Sequence, residues 1–288
     1  MPSRAVGEPK LADDQLWSHD TADMSRLIRW SSRALIALAG LVVLLSVTTL
    51  TTIDSTPYAQ TEYYASTLRA LDSEERTRFT TGALQAGFGK ARLTPTLGAP
   101  TNAPAEGRFQ QLPLAGYGSR RGEPATGVHD HVFVRSVAFE VAGQRLVMLS
   151  ADALIVPREV AEQTAHLLQE RFGLSRESLY FGATHTHASL GGWGRGPVGR
   201  AFAGPFNSGA IEWFAQQLAT AAQRAVEDLT PAALGQQSFL APEHVGNRLV
   251  GAGGPVNAKF DCLWIQQDDG DRAVIGSYAA HATVLPAS

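Results

Sequence analysis

The sequence predicts an α/β protein, a mixed β-sheet with helices packed on it, preceded by a single N-terminal transmembrane helix. Three observations carry this reading. Residues 34–53, ALIALAGLVVLLSVTTLTTI, contain no charge. From residue 85 onward, stretches of strand-like alternation and helix-like periodicity follow in the order β, β, α, β, which suits helices layered on a sheet. The chain of 288 residues is 44% hydrophobic and 18% charged, enough to bury a substantial core.

Taken in order, residues 1–25 are polar and acidic, with Asp13, Asp14, Asp20 and Asp23 and no periodicity, and read as a mobile tail. The uncharged run at 34–53 would rise about 30 Å as a helix, the thickness of a bilayer core. Arg26, Arg29 and Arg33 precede it, and the next basic residue after it is Arg69. This asymmetry places 1–33 in the cytoplasm and the rest of the chain, as a single-pass protein, on the non-cytoplasmic side. A cleaved signal peptide is the competing reading, but the segment before the run is long and DSTPYAQ after it offers no small-x-small site. A buried soluble helix fits less well, because the run is apolar on every side. Residues 54–84 are polar and form a juxtamembrane linker, with a short helix expected around Leu68 to Phe79. The globular part occupies 85–288.

It opens with AGFGKARLTP, a short strand in which Gly87 and Gly89 flank Phe88. Residues 96–127 are rich in Pro and Gly, with Gly116, Tyr117, Gly118, Arg120 and Arg121 in the middle, and read as a long ordered loop or a substrate-side loop. VFVRSVAFEV and RLVMLSAD flank Gly143-Gln144 as a hairpin, the second strand interior. Pro157 stands where a helix begins; Val160, Ala161, Ala165, Leu167, Leu168 and Phe172 mark its inner face and Gly173 its end. A second helix runs from about 210 to 229, capped by Asn207 or Ser208, with Ile211, Phe214, Leu218, Ala222 and Val226 inward, and Pro231 stops it. Strands are expected at 237–240, 261–267 and 273–278, the last two joined by Asp268-Asp269-Gly270-Asp271. The final strand runs into His281.

The stretch with the most chemistry is YFGATHTHASLGGW, residues 180–193. Continued as a strand, its period of two puts His185 and His187 on one face and Thr184 and Thr186 on the other. Two imidazoles so placed are possible metal ligands, neutral histidine being a common ligand of zinc. They would equally serve as hydrogen-bonding groups at a strand end, since the spacing is less specific than HExxH on a helix. The glycines that follow, Gly191, Gly192, Gly194 and Gly196, let the backbone turn and leave room for a ligand. Cys262 is the only cysteine. It allows neither an internal disulfide nor a CxxC site and reads as a small buried apolar group, so a metal here would depend on His, Asp, Glu or Tyr. The net charge of −3 offers no basic surface, and nucleic acid is set aside as a partner.

AGFGKARLTP, GVHDHVFVRSVAFE, LSADAL, GATHTHASLGGW, the Asn247-Arg248 pair and SYAAHATVL, in this order, resemble the N-terminal catalytic region of neutral/alkaline non-lysosomal ceramidases, over residues 84–285. That family consists of zinc amidases that split the N-acyl bond of ceramide into a fatty acid and a sphingoid base. The resemblance implies that His185 and His281 bind Zn2+ and that His187 and Arg248 act catalytically beside it, holding or polarising the substrate carbonyl. It further implies a membrane lipid, ceramide-like, as substrate, to which a bilayer anchor at 34–53 is suited. His129 and His131 read as exposed side chains at a sheet edge, outside the metal set. In the family a Glu and a Tyr that complete the zinc shell, and an active-site serine, come after the segment matching HAT. The sequence ends seven residues past His281, so the expectation is an incomplete ceramidase domain with the histidine half of the site. The family's Ser-Gly-Pro is replaced by Ala188-Ser189-Leu190, which alters the substrate mouth. The alternatives are a metal hydrolase of another amide or ester and an inactive, membrane-tethered binding domain.

Overall fold

The computed structural model describes residues 16–50, 55–72, 80–251 and 253–281. The chain divides into two compact units, Met1–Arg78 and Phe79–Ser288.

In the first unit, α1 spans Leu16–Thr49. Its part Met24–Thr49 is long and apolar enough to cross a membrane, a property that a membrane anchor and a signal sequence share. Leu35, Ile36 and Val47 are exposed on its surface. Residues 16–25 are therefore helix, whereas a structureless tail was expected. α2 is Glu62–Asp72, earlier than the helix expected at Leu68–Phe79, whose end lies outside the described residues. Thr61 begins α2: its Oγ1 accepts from the Tyr64 amide at 3.2 Å, satisfying one of the amides that a first turn leaves unpaired.

The described residues of the second unit form a seven-stranded sheet with three α-helices. Its strands are β1 (Leu84–Arg92), β2 (Phe133–Val141), β3 (Gln144–Ala151), β4 (Leu179–Ala183), β5 (Thr230–Leu240), β6 (Lys259–Gln267) and β7 (Arg272–Ser277), in the spatial order β4-β3-β2-β1-β5-β6-β7. Every pairing is antiparallel except β3 with β4, and that parallel pair is connected, as it must be, by a crossover helix, α3 (Arg158–Phe172). Ala142 and Gly143 both take left-handed φ, 47° and 78°, and join Val141 to Gln144 in a tight two-residue hairpin turn.

α5 (Ser208–Glu227) covers β1, β2 and β3. Asn207 caps it, its Oδ1 accepting from the Gly209 amide at 2.9 Å. The helix turns Phe214, Leu218, Ala221, Ala222 and Ala225 inward, all 0% exposed. Its alanines and the AGFG strand serve one purpose. A Cβ on Gly89 would stand 2.0 Å from the Ala221 carbonyl oxygen, and one on Gly87 2.1 Å from that of Ala225. The two glycines thus let helix backbone lie directly on strand backbone. Phe88, between them, faces the other way, into a small cluster with Val137, Phe139, Leu263 and Ile265.

Several elements depart from expectation. Gly196–Ala203 is a short helix, α4, inside what reads as a glycine loop. β5 begins at Thr230 rather than 237; most of its side chains are exposed, so no apolar alternation marks it. Pro231 is already in β5, opposite Gln85, a position near the start of a strand where a missing amide is tolerated, and α5 ends before it. Cys262 is half-buried and points its Sγ at the Gln237 carbonyl at 3.4 Å, so it is less enclosed than expected.

Candidate metal centre

β4 stops at Ala183, and both histidines of the THTH sequence lie beyond it. The Thr184 amide still bonds the Ala151 carbonyl at 3.0 Å. His185 then takes φ of 59°, a left-handed conformation uncommon for a residue with a side chain. The two rings therefore do not share a face through the period of a strand; a backbone reversal brings them together, with ring centroids 5.2 Å apart. His281 joins them, its centroid 4.8 Å from His185 and 5.0 Å from His187. It also lies past a strand end, four residues beyond β7, rather than on the strand itself. One nitrogen from each of the three rings lies within 4.8 Å of the others.

Each ring is held differently. His185 Nδ1 lies 2.7 Å from the Leu154 carbonyl. A carbonyl only accepts, so Nδ1 carries the hydrogen and Nε2 keeps its lone pair, the usual arrangement for a ligating histidine. His187 Nδ1 accepts from the Tyr117 amide at 3.3 Å, which places the hydrogen of the neutral ring on Nε2. That Nε2 is buried and has no hydrogen-bond partner among the described residues. Burial, foremost, holds the His187 pKa below its ordinary value, followed by the neighbouring His185 and His281 and the cations Arg120 and Arg248. His187 is accordingly neutral near pH 7.

The residues fit a zinc ion. Two nitrogens on one zinc at ~2.0–2.1 Å stand about 3.4 Å apart, and His281, exposed and free of any strand, can close the difference to His185 by side-chain rotation. The His185 tautomer is suited to ligation, and the orphaned His187 Nε2 is a buried donor on a ring of the same cluster.

Arg248 sits exposed on the loop between β5 and β6. The Asn247 side chain shapes that loop: its Oδ1 accepts from the Leu249 and Val250 amides and its Nδ2 donates to the Pro255 carbonyl, all at 3.0 Å. The Tyr278 hydroxyl donates to the Ala241 carbonyl, fastening the segment that leads to His281 onto the base of the same loop. His129 pairs with Asp130 at the surface and His131 stands by Phe133; neither belongs to the cluster. Asp152 is engaged with the Phe133 amide at 3.0 Å and Arg135 at 2.9 Å.

The residues that wrap His187 lie in the stretch that reads as a long ordered or substrate-side loop, but the sequence did not tie them to His187. Gly116 takes φ of 86°, and a Cβ there would meet the His187 ring at 2.6 Å. The Tyr117 ring packs edge-on against the imidazole, centroids 4.5 Å apart. Arg120 donates to the His187 carbonyl at 2.7 Å. The signal available was the Gly-Tyr-x-x-Arg run inside a Pro/Gly-rich loop. Beside the histidine segment lies a pocket of about 350 Å³, lined by Leu97, Leu112, Leu114, Val128, Val132 and Leu190, with Thr186, Ala188 and Ser189 as one wall. Its size and apolar lining are those of a small-molecule site.

Fold and cluster together define an α/β domain with a candidate metal site in a cluster of histidines gathered from two strand ends. The family description "Neutral/alkaline non-lysosomal ceramidase, N-terminal" matches residues 101–248, just over half of the chain. The chain belongs to this family. The matched span contains His185, His187 and Arg248. Among solved structures, one titled "Ceramidase complexed with C2" is similar at 21% identity with a TM-score of 0.58, over 70% of this chain and 32% of that one. The neutral ceramidase from Pseudomonas aeruginosa is similar at 20% identity with a TM-score of 0.59, over 72% of this chain and 33% of that one. At these identities the likeness is one of fold, and this chain spans about a third of the length of those proteins. A comparison with curated proteins gives no match.

Proposed function

We propose that this chain is the histidine-bearing part of a zinc-dependent, ceramidase-type amidohydrolase, acting on the N-acyl amide bond of ceramide-like sphingolipids and anchored to a bilayer through residues 34–53. The observation that carries this reading is the meeting of His185, His187 and His281 within 4.8 Å in a chain of this family. A zinc ion bound there would lower the pKa of a bound water and act as a Lewis acid on an amide oxygen. His185 and His281 are the proposed ligands. His187 is proposed as a hydrogen-bond donor through Nε2 to the carbonyl oxygen of the substrate, its neutrality at pH 7 leaving that hydrogen in place. Arg248, exposed but close enough for its charge to act on His187, is proposed to stabilise the negative charge that develops on that oxygen. The orientation proposed for the anchor, with the catalytic unit on the non-cytoplasmic side, rests on Arg26, Arg29 and Arg33 preceding it.

Zinc content after dialysis tests the site. His185→Ala and His281→Ala should each lower zinc affinity by at least about tenfold, the loss of a direct ligand exceeding the tenfold to hundredfold range of its supports only upward. His166→Ala, at an exposed position of α3 where His166 faces Glu170, should leave zinc content unchanged. Equal zinc in all three variants would overturn the assignment. Binding of a short-chain ceramide analogue to the zinc-loaded chain, weakened by Arg248→Ala, tests the substrate class.

A further inference from the structure

We propose that Arg120 is a positioning residue, which sets the tautomer and place of the His187 ring from beneath; the proposal rests on the reading of His187 as a donor. Arg120 is 9% exposed. Its Nη1 donates to the His187 carbonyl at 2.7 Å and to the Ala115 carbonyl at 3.3 Å. One guanidinium therefore ties the backbone of the histidine segment to the residue just before the Gly116-Tyr117 turn. Those two attachments fix the distance between His187 and the Tyr117 amide, which is the donor that occupies His187 Nδ1 at 3.3 Å.

The contacts form a closed ring. The Arg120 guanidinium lies over the Tyr117 ring at 5.0 Å, and the Tyr117 ring lies edge-on to the imidazole at 4.5 Å. Gly116 leaves the only kind of space that admits this approach, since its absent Cβ would fall 2.6 Å from His187 Cγ. The loop backbone is held in unusual conformations to achieve it, with φ of 86° at Gly116, 47° at Tyr117 and 54° at Arg121. Side chains in left-handed backbone persist where the surroundings over-determine them, and Arg120 lies between two such positions and bonds across the turn.

The consequence is chemical. While the Tyr117 amide donates to Nδ1, the neutral ring must carry its hydrogen on Nε2, so His187 faces the centre as a donor and its lone pair is not offered to a metal. His185 is held the opposite way by the Leu154 carbonyl. The two histidines of one motif are thus assigned different roles by backbone groups that Arg120 and the turn after β3 hold in place, in the manner of supports behind a metal site.

Ring 15N shifts of the full chain at pH 8, without metal and with zinc, test this. In the unsubstituted protein His187 should show the Nε2–H tautomer in both states. Arg120→Met should abolish that preference and give a mixture, while zinc content stays within about twofold, because His185 and His281 are untouched; Arg120→Lys, which keeps a buried cation and a donor, should restore most of the single tautomer. An unchanged His187 tautomer in Arg120→Met would overturn the proposal. Should that variant fail to fold, Arg120→Gln, too short to reach both the His187 and Ala115 carbonyls, removes the same two attachments, and an unchanged tautomer there would overturn it equally. The readout needs no turnover, so a chain that fails to hydrolyse or bind a ceramide analogue would count against the proposed function and leave this test standing.

Discussion

The two halves of the sheet are built very differently. β1 to β3 lie under α5, which packs in turn against α3, and the core residues Val134, Val147 and Leu149 of this half are at most 1% exposed. β5 to β7 carry little cover: of the nine side chains of β6 only Ile265 and Gln267 are buried, and Leu234, Trp264 and Val274 are open to solvent. The halves meet along a narrow seam, where β1 pairs with β5 only at Gln85↔Pro231 and Ala86↔Thr230. Gln267 reinforces it, its Nε2 donating to the Ala86 carbonyl at 2.8 Å and to the Asp228 carbonyl and carboxylate at 3.0 Å. The histidine cluster straddles this division. His185 and His187 belong to the covered half, while His281 and Arg248 are delivered by the lightly covered one. The lesson is that the geometry of the site depends on the seam as much as on the core.

That contrast can be broken from either side. The largest effect is expected in the covered half: Phe214→Ala, at a fully buried position, should cost about 3–5 kcal/mol in denaturant unfolding. A cost under half of that would show that α5 is not the organising helix. At the seam, Gln267→Leu keeps the volume and removes the donor shared by the Ala86 carbonyl and the half-buried Asp228 carbonyl and carboxylate, of which the carboxylate keeps the Phe88 amide. It should cost about 1–3 kcal/mol and also reduce zinc content, measured on the same sample, because His281 loses its register with His185. Normal zinc content with reduced stability would separate seam from site.

A smaller effect is expected from pH. His187 is held below its ordinary value, so in the metal-free chain the unfolded state binds its proton more readily than the folded one. Its contribution to stability is complete above about pH 6.5 and declines as pH falls from there toward the folded-state value. Unfolding curves across this range should therefore flatten in His187→Gln; an identical slope would mean that His187 titrates normally. The smallest effect is expected in the open half, where Val274→Thr, at a 69% exposed position, should stay within about 0.5 kcal/mol. A larger loss would mean that the bare strands are packed more tightly than their exposure indicates.

Much of the covered half was legible in the sequence. Pro157 and Gly173 bracket α3, Asn207 caps α5, and the apolar positions of both helices are the ones that turn inward, because capping and periodicity are local properties. β5 was only partly visible, since a strand with neither face buried shows no alternation. α4 was hidden by its glycines, Gly196 and Gly199, which read as loop. The THTH motif was recognisable as a candidate, but the reason offered for its geometry, a continued strand, differs from the reversal at His185 that the chain uses.

What the sequence by itself determined is which residues can do chemistry and which stretches form helix, hairpin or apolar span, because residue type, spacing and capping act over a few residues. What the tertiary structure alone decided is their meeting. His281 comes to His185 across two helices and three strands, and the Tyr117 amide and Arg120 reach His187 from a loop far upstream in the chain. Such contacts follow from how the sheet halves join and how closely α5 lies on the glycines of β1, and neither is encoded in any one stretch: a hydrogen bond or a ligand set between distant residues depends on the packing of everything between them.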